Sequence, residues 1–200
     1  MEHEKQGFDE RQSLSLILRM IDDTRERVIR NMGTPFLVMG YVTVLSSLAV
    51  WFAFERTGDY RWQFLWFAIP AAGLACWGWI ARQAPKRAVT SYVDRIVGYI
   101  WITFGIVGFL QSMLSIVTHI PILYLMVLLM GLGTALTGLI IRFRGYTLAG
   151  LLSAILLAPI CLLTEGMDAC LAFAAAFVVM MVIPGHIFNY QSNRLKNRKR

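Results

Sequence analysis

Charge is missing where a soluble protein would need it. Six apolar stretches of this 200-residue chain hold no Asp, Glu, Lys or Arg in their interiors, and charged residues are only 16% of the whole against 57% hydrophobic. A soluble domain has about a quarter of its residues charged. The mean hydropathy is +0.58, and each stretch approaches the ~20 residues with which a helix crosses a bilayer. The class is therefore membrane. Other absences narrow it. The opening MEHEKQGFDERQ has no short apolar core and no small-residue cleavage site, so no secretory signal peptide is expected and the first span, starting near Pro35, serves as the targeting signal. Cysteine is scarce: Cys76, Cys161 and Cys170 have no metal-ligand spacing. They read as small buried apolar residues, with a disulfide the weaker alternative. No Walker loop, nucleophile elbow or zinc motif occurs, and no cofactor or metal is expected.

What is present predicts an all-α membrane fold. Six transmembrane helices, as three antiparallel hairpins, are expected at about 35–54, 62–81, 96–118, 121–141, 146–163 and 168–188, preceded by a cytoplasmic amphipathic helix. The organisation is then a cytoplasmic N-terminal segment (1–34), a six-helix domain (35–188) and a basic cytoplasmic tail (189–200). The gaps are short and polar: Glu55–Arg61 around Thr57-Gly58, Arg82–Arg95 with Pro85, His119-Ile120-Pro121, Arg142–Gly145 and Thr164–Met167. Irregular backbone is too costly in hydrocarbon, so the gaps belong at the surfaces. Orientation follows from the basic residues. With the N-terminus inside, seventeen Lys and Arg fall on the inner side, and only Arg56 and Arg61 fall outside. That is a strong positive-inside bias. Tryptophans and tyrosines cluster at both expected surfaces. Gly40-Tyr41, Gly98-Tyr99 and Gly145-Tyr146 sit near the inner starts of spans one, three and five, a pattern that fits either a hairpin repeat or shared interfacial anchoring.

An intramembrane charge usually marks an ion path or proton relay. None is present at the centre of any span, although a carrier built from carbonyls and hydroxyls remains open. In span three, Gly108, Gln111, Ser115 and Thr118 share a face; in span four, Gly131, Thr134, Ala135 and Gly138 form a small-residue stripe. The tight turn between these spans predicts that the stripes pack together, with Gln111 bonding across; a polar pathway is the alternative. Pro70 and Pro159 remove backbone donors and should kink their helices, and Ile183-Pro184-Gly185-His186 reads as the end of span six. On the outer side His119, Glu165 and Asp168, with Glu55 and Asp59, fit solvated loop ends or, less simply, a metal or hydrolase site.

Residues 10–30 read as an amphipathic helix. Leu14, Ile17, Leu18, Ile21 and Val28, with Ile29, lie on one side of a helical wheel. The other side pairs Arg19 with Asp23, Asp23 with Arg27 and Glu26 with Arg30. The stretch is nearly neutral, whereas a helix on anionic lipid is rich in Lys and Arg. The open alternatives are docking on the protein's own loops, a partner protein or second copy, and lipid. The segment is too short for a DNA-binding domain with its own core. The tail NRLKNRKR suits topology and lipid headgroups, and no nucleic-acid partner is expected.

SLSLILRMIDDTRERV (Ser13–Val28), PFLVMGY (Pro35–Tyr41), TSYVDRIVGYIWITFG (Thr90–Gly105) and VIPGHIFN (Val182–Asn189) carry a resemblance over almost the whole chain. The chain resembles a family of uncharacterised membrane proteins of Bacteroidota, about 200 residues long. The resemblance implies a bacterial inner membrane and, from the small winged-helix regulators that such proteins sit beside, a regulatory or stress-linked context. It implies no catalytic residues. Three functions are then expected in order: a non-enzymatic accessory or regulatory protein acting through its cytoplasmic N-terminal helix, a small-solute transporter or channel, and an outer-surface metal-dependent hydrolase.

Overall fold

The computed structural model describes residues 14–15, 33–83, 92–118 and 120–198, and among them there is no strand. The elements are α1 (Gly33–Thr57), a 3-10 helix (Tyr60–Phe67) running into α2 (Ala68–Gln83), α3 (Tyr92–Thr118), α4 (Ile122–Ile140), α5 (Arg144–Leu163) and α6 (Gly166–Arg198). Among the described residues, five helices are long and apolar enough to cross a membrane: α1, α3, α4, α5 and α6. The chain is a multi-pass helical membrane protein. Of the amphipathic stretch only Leu14 and Ser15 are described, both helical, with Leu14 exposed. Ile17, Leu18, Ile21 and Val28 lie outside the described residues.

Two boundaries differ markedly from those the sequence suggests. The second stretch does not begin as an α-helix: Tyr60–Phe67 is wound as 3-10, with α2 starting at Ala68. Aromatic and polar contacts at the helix edge hold this tighter segment. Asp59 accepts from the Arg61 amide, Trp62 donates to Thr57, and the rings of Trp66 and Phe173 meet edge-on. The last helix does not stop at Pro184-Gly185; it continues to Arg198, because the turn before Pro184 is widened, as described below. Helix α4 stops close to where expected, and Arg142 just beyond it sits in the left-handed region, φ 53°. There the Phe143 amide reaches back to Gly138 and the Arg142 amide to Leu139. These are the two bonds of a Schellman cap, with arginine where glycine is usual.

Two helix seams hold the bundle. In the first, α1 and α6 run antiparallel. A β-carbon added at Gly185 would lie 2.9 Å from Leu37, and one at Gly40 would lie 3.0 Å from Val182 and 3.1 Å from Met181. Further along, Ser47 donates to the Cys170 carbonyl (2.7 Å) and the Trp51 indole to Asp168 (3.0 Å). In the second seam, α4 and α5 approach backbone to backbone. A β-carbon at Gly131 would come within 2.9 Å of the Gly150 carbonyl and 3.0 Å of the Ala154 amide. One at Gly150 would strike the Gly131 carbonyl, and one at Gly138 the Thr147 backbone. The small-residue stripe of α4 thus faces α5 rather than α3. Only Gly133 turns toward α3, under Phe104 and Trp101, while α3 offers Gly108 to Met126 and Leu129. Close approach needs small residues on both partners. Helix α5 supplies them as Gly150, Ala154 and Ala158, at four-residue spacing and all buried; α3 has no such ladder facing α4.

Candidate functional site: a buried polar junction

Proline has no N–H, and its ring collides with the carbonyl four residues back. Helices α5 and α6 resolve both problems in the same way. The five residues ending two positions before each proline, Ser153–Leu157 ahead of Pro159 and Val178–Val182 ahead of Pro184, are π-helical. The Ala158 amide bonds the Ser153 carbonyl, and the Ile183 amide bonds the Val178 carbonyl. Each bond spans five residues instead of four, which enlarges the turn and lets the helix continue. One carbonyl in each turn is stranded by this. The Ala154 carbonyl would take its bond from Ala158, which is committed to Ser153, or from Pro159, which has no N–H. Val179 stands in the same relation to Ile183 and Pro184. Such π turns often occur at functional sites.

Helix α1 passes beside both turns. Thr43 lies between the contact of Gly40 with Met181 and Val182 and the bond from Ser47 to Cys170, so it stands along the π segment of α6. Its register with α5 is set by the rings of Phe36 and Tyr146, 5.0 Å apart. Both α1 and α5 run antiparallel to α6, hence parallel to each other. Seven residues, about two turns, bring a helix back to the same face. Seven residues on from Phe36 is Thr43, and seven on from Tyr146 is Ser153. Thr43 and Ser153 thus each stand two turns along their own helices from that ring contact.

Both are fully enclosed: Thr43 is 1% exposed and Ser153 0%. Neither hydroxyl has a hydrogen-bond partner. This sets them apart from the hydroxyls of Thr57, Ser112, Thr118, Thr134, Thr137 and Thr164, each of which donates to the carbonyl four residues back. Leaving a buried hydroxyl unpaired costs about 1–3 kcal/mol. Two turns toward the end of the bundle bearing Gly33, the Tyr146 hydroxyl and the Trp101 indole N–H are also unpaired. They flank Phe36 in a layer completed by Phe143 and Phe188.

The residues singled out from the sequence are placed differently. Gly131 and Gly138 sit in the α4–α5 seam. Ser115 donates to the Ile120 carbonyl and closes the α3–α4 turn (2.8 Å), and Gln111 is half-buried one turn before it. Glu165 is exposed, Asp168 accepts from Trp51, and His119 lies outside the described residues. Among the described residues no group of three His, Cys, Asp or Glu side chains could hold a metal. An open apolar groove lined by Ile96, Tyr99, Ile100, Thr103, Phe104 and Leu136 lies along α3 and α4. His186 at the far end of α6 bonds Tyr41 at 2.7 Å. Sequence reasoning passed over Thr43 and Ser153. Their signal was indirect: a hydroxyl six residues before a mid-span proline, and another seven residues on from Phe36. No protein family, curated protein or solved structure matches the chain.

Proposed function

We propose that this chain is a non-enzymatic accessory or regulatory protein of the bacterial inner membrane, with both termini in the cytoplasm. It acts through its first 34 residues on a partner protein or a second copy of itself. The observation that carries this reading is the α4–α5 seam. The small-residue stripe of α4, which with the Gln111 face of α3 offered helix packing or a polar path, is filled by the backbone of α5. Together with spans free of charge at their centres, this supports a recognition surface on the cytoplasmic side, with the near-neutral amphipathic stretch as its longest candidate. The 3-10 segment and α2 together reach about 40 Å, enough for a sixth crossing. An even number of crossings agrees with the inner placement of both ends.

The test is in-membrane cross-linking of the full chain and of its Ile17→Asp/Ile21→Asp variant. Loss of one or more cross-linked species at unchanged membrane insertion is the expected result. An identical set of cross-links in both overturns the reading.

A further inference from the structure

We propose that the Tyr41–His186 pair, at one end of the α1–α6 seam, binds the phosphate of a bilayer phospholipid. Contacts on both sides fix the level of the pair. Gly33 lies against Asn189, Leu37 against Gly185, and Gly40 against Val182. His186 therefore stands level with Phe36, about 5 Å from Gly33, where the apolar span of α1 begins. Tyr41 is rooted deeper, but helical side chains lean toward the N-terminus, and its hydroxyl meets His186 Nε2 at 2.7 Å. The two rings are edge-on, with centroids 6.0 Å apart. Both side chains are exposed.

Proton counting shows what the pair lacks. A neutral imidazole has one N–H and a phenol one O–H, so two polar hydrogens share a single bond. If Tyr41 donates to Nε2, the His186 Nδ1–H is left over; if Nε2–H donates to Tyr41, the phenol hydrogen is left over. Among the described residues neither side chain makes another hydrogen bond. The surplus donor thus faces outward at the edge of the membrane. Toward the bilayer centre the same face turns apolar. Leu45, Leu48 and Phe52 continue the line of Tyr41 along α1, with Ile183 beside them on α6, and all are exposed. A donor at the span end above an apolar strip matches an amphiphile, headgroup on the pair and acyl chain on the strip. The anionic phosphate is the strongest acceptor at that level, since bonds to an ionised partner are about twice as strong as neutral ones. A second copy fits this face poorly: close helix pairing needs small residues, and the strip has none.

The experiment uses the full chain, 15N-labelled, in bilayers of phosphatidylglycerol and phosphatidylethanolamine in phosphate-free buffer, so that lipid is the only source of phosphorus. Solid-state 15N–31P dephasing should place lipid phosphorus at hydrogen-bonding range of the His186 ring, identified by the signal that His186→Phe removes. Tyr41→Phe should diminish that dephasing. Native mass spectrometry should show phospholipid retained by the unmodified chain about tenfold more tightly than by His186→Phe. No dephasing at His186 in the unmodified protein means that water or another acceptor meets the donor, and overturns the proposal. So does a cross-linked dimer that His186→Phe abolishes, which assigns the face to a second copy. If the variants do not fold, backbone-correlated assignment of the His186 ring in the unmodified protein lets its dephasing decide by itself.

Discussion

Helices α5 and α3 are both long and apolar enough to cross a membrane and are very different in how they are used. Of its most apolar window, α5 buries 33%, and its Gly150 meets backbone; α3 buries 11%. Gly98 and Gly105 on α3 have nothing within 4 Å of where a β-carbon would stand. Ile102, Ile106, Phe109 and Leu110 of α3 are all more than half exposed. In water such a surface would be driven inward. In hydrocarbon it gains nothing by burial, because lipid tails are as apolar as leucine. What separates the two helices is the geometry of their small residues. The glycine and alanines of α5 form one ladder opposite the glycines of α4, while two of the glycines of α3 face away from the bundle.

The sharpest way to break this contrast is to place the same large residue on both helices. Gly150→Leu has no space: its β-carbon would already strike the Gly131 carbonyl and the Ala135 backbone. The expected cost is at or above the ~3 kcal/mol upper end of overpacking, seen as loss of the folded monomer in detergent. Gly105→Leu enters open space and replaces the poorer helix former, by ~0.8–1 kcal/mol in propensity, so its thermal midpoint should stay level or rise. Equal destabilisation by the two would show that α3 is packed as tightly as α5.

A second pair deletes rather than adds. Phe36 is enclosed by the edges of Trp101 and Tyr146, with ring centroids at 5.3 and 5.0 Å. Phe36→Ala opens a cavity in that layer and should cost about 3–5 kcal/mol. Phe109, on the outer face of α3, is 61% exposed, and Phe109→Ala should cost less than about 1 kcal/mol, since no packed cavity forms. Denaturant titration of both variants measures the difference. If it is under ~1 kcal/mol, the aromatic layer is not the anchor that its geometry suggests.

The same physics explains what could be read from the sequence. Span positions were legible because they depend on total apolarity, and the helices break at Gly58-Asp59 and around Arg142, inside the expected polar gaps. Which faces meet was not legible, because apolarity does not distinguish a neighbour from lipid. The stripe of Gly131 and Gly138 was visible, yet its partner was assigned by loop length to α3. The ladder Gly150, Ala154, Ala158 in α5 would have corrected that. The mid-span prolines were visible too, but a kink was expected where α5 takes a wider turn. Pro184 was read as a terminus for the same reason: a π turn upstream removes the clash that normally stops a helix. Thr43 and Ser153 became notable only once helix register was known.

Hydroxyls give the smallest and most specific form of the comparison. Ser47 donates across the α1–α6 seam to the Cys170 carbonyl (2.7 Å) and is fully buried. Ser112 on α3 donates only to its own helix, at the Gly108 carbonyl (2.9 Å). Ser47→Ala removes a bond between helices, and interhelical bonds in membranes average about 0.6 kcal/mol with a maximum near 1.7. Full burial places this one toward the upper part of that range, at about 1 kcal/mol. Ser112→Ala removes a bond that competes with its own helix ladder and slightly disfavours a straight helix, so it should be neutral within ~0.3 kcal/mol. Unfolding midpoints of the two variants in one detergent measure the gap. A larger loss at Ser112 than at Ser47 would mean that α3 makes a contact through that face, and the division between a tight and a sparse side of the bundle would have to be redrawn around it.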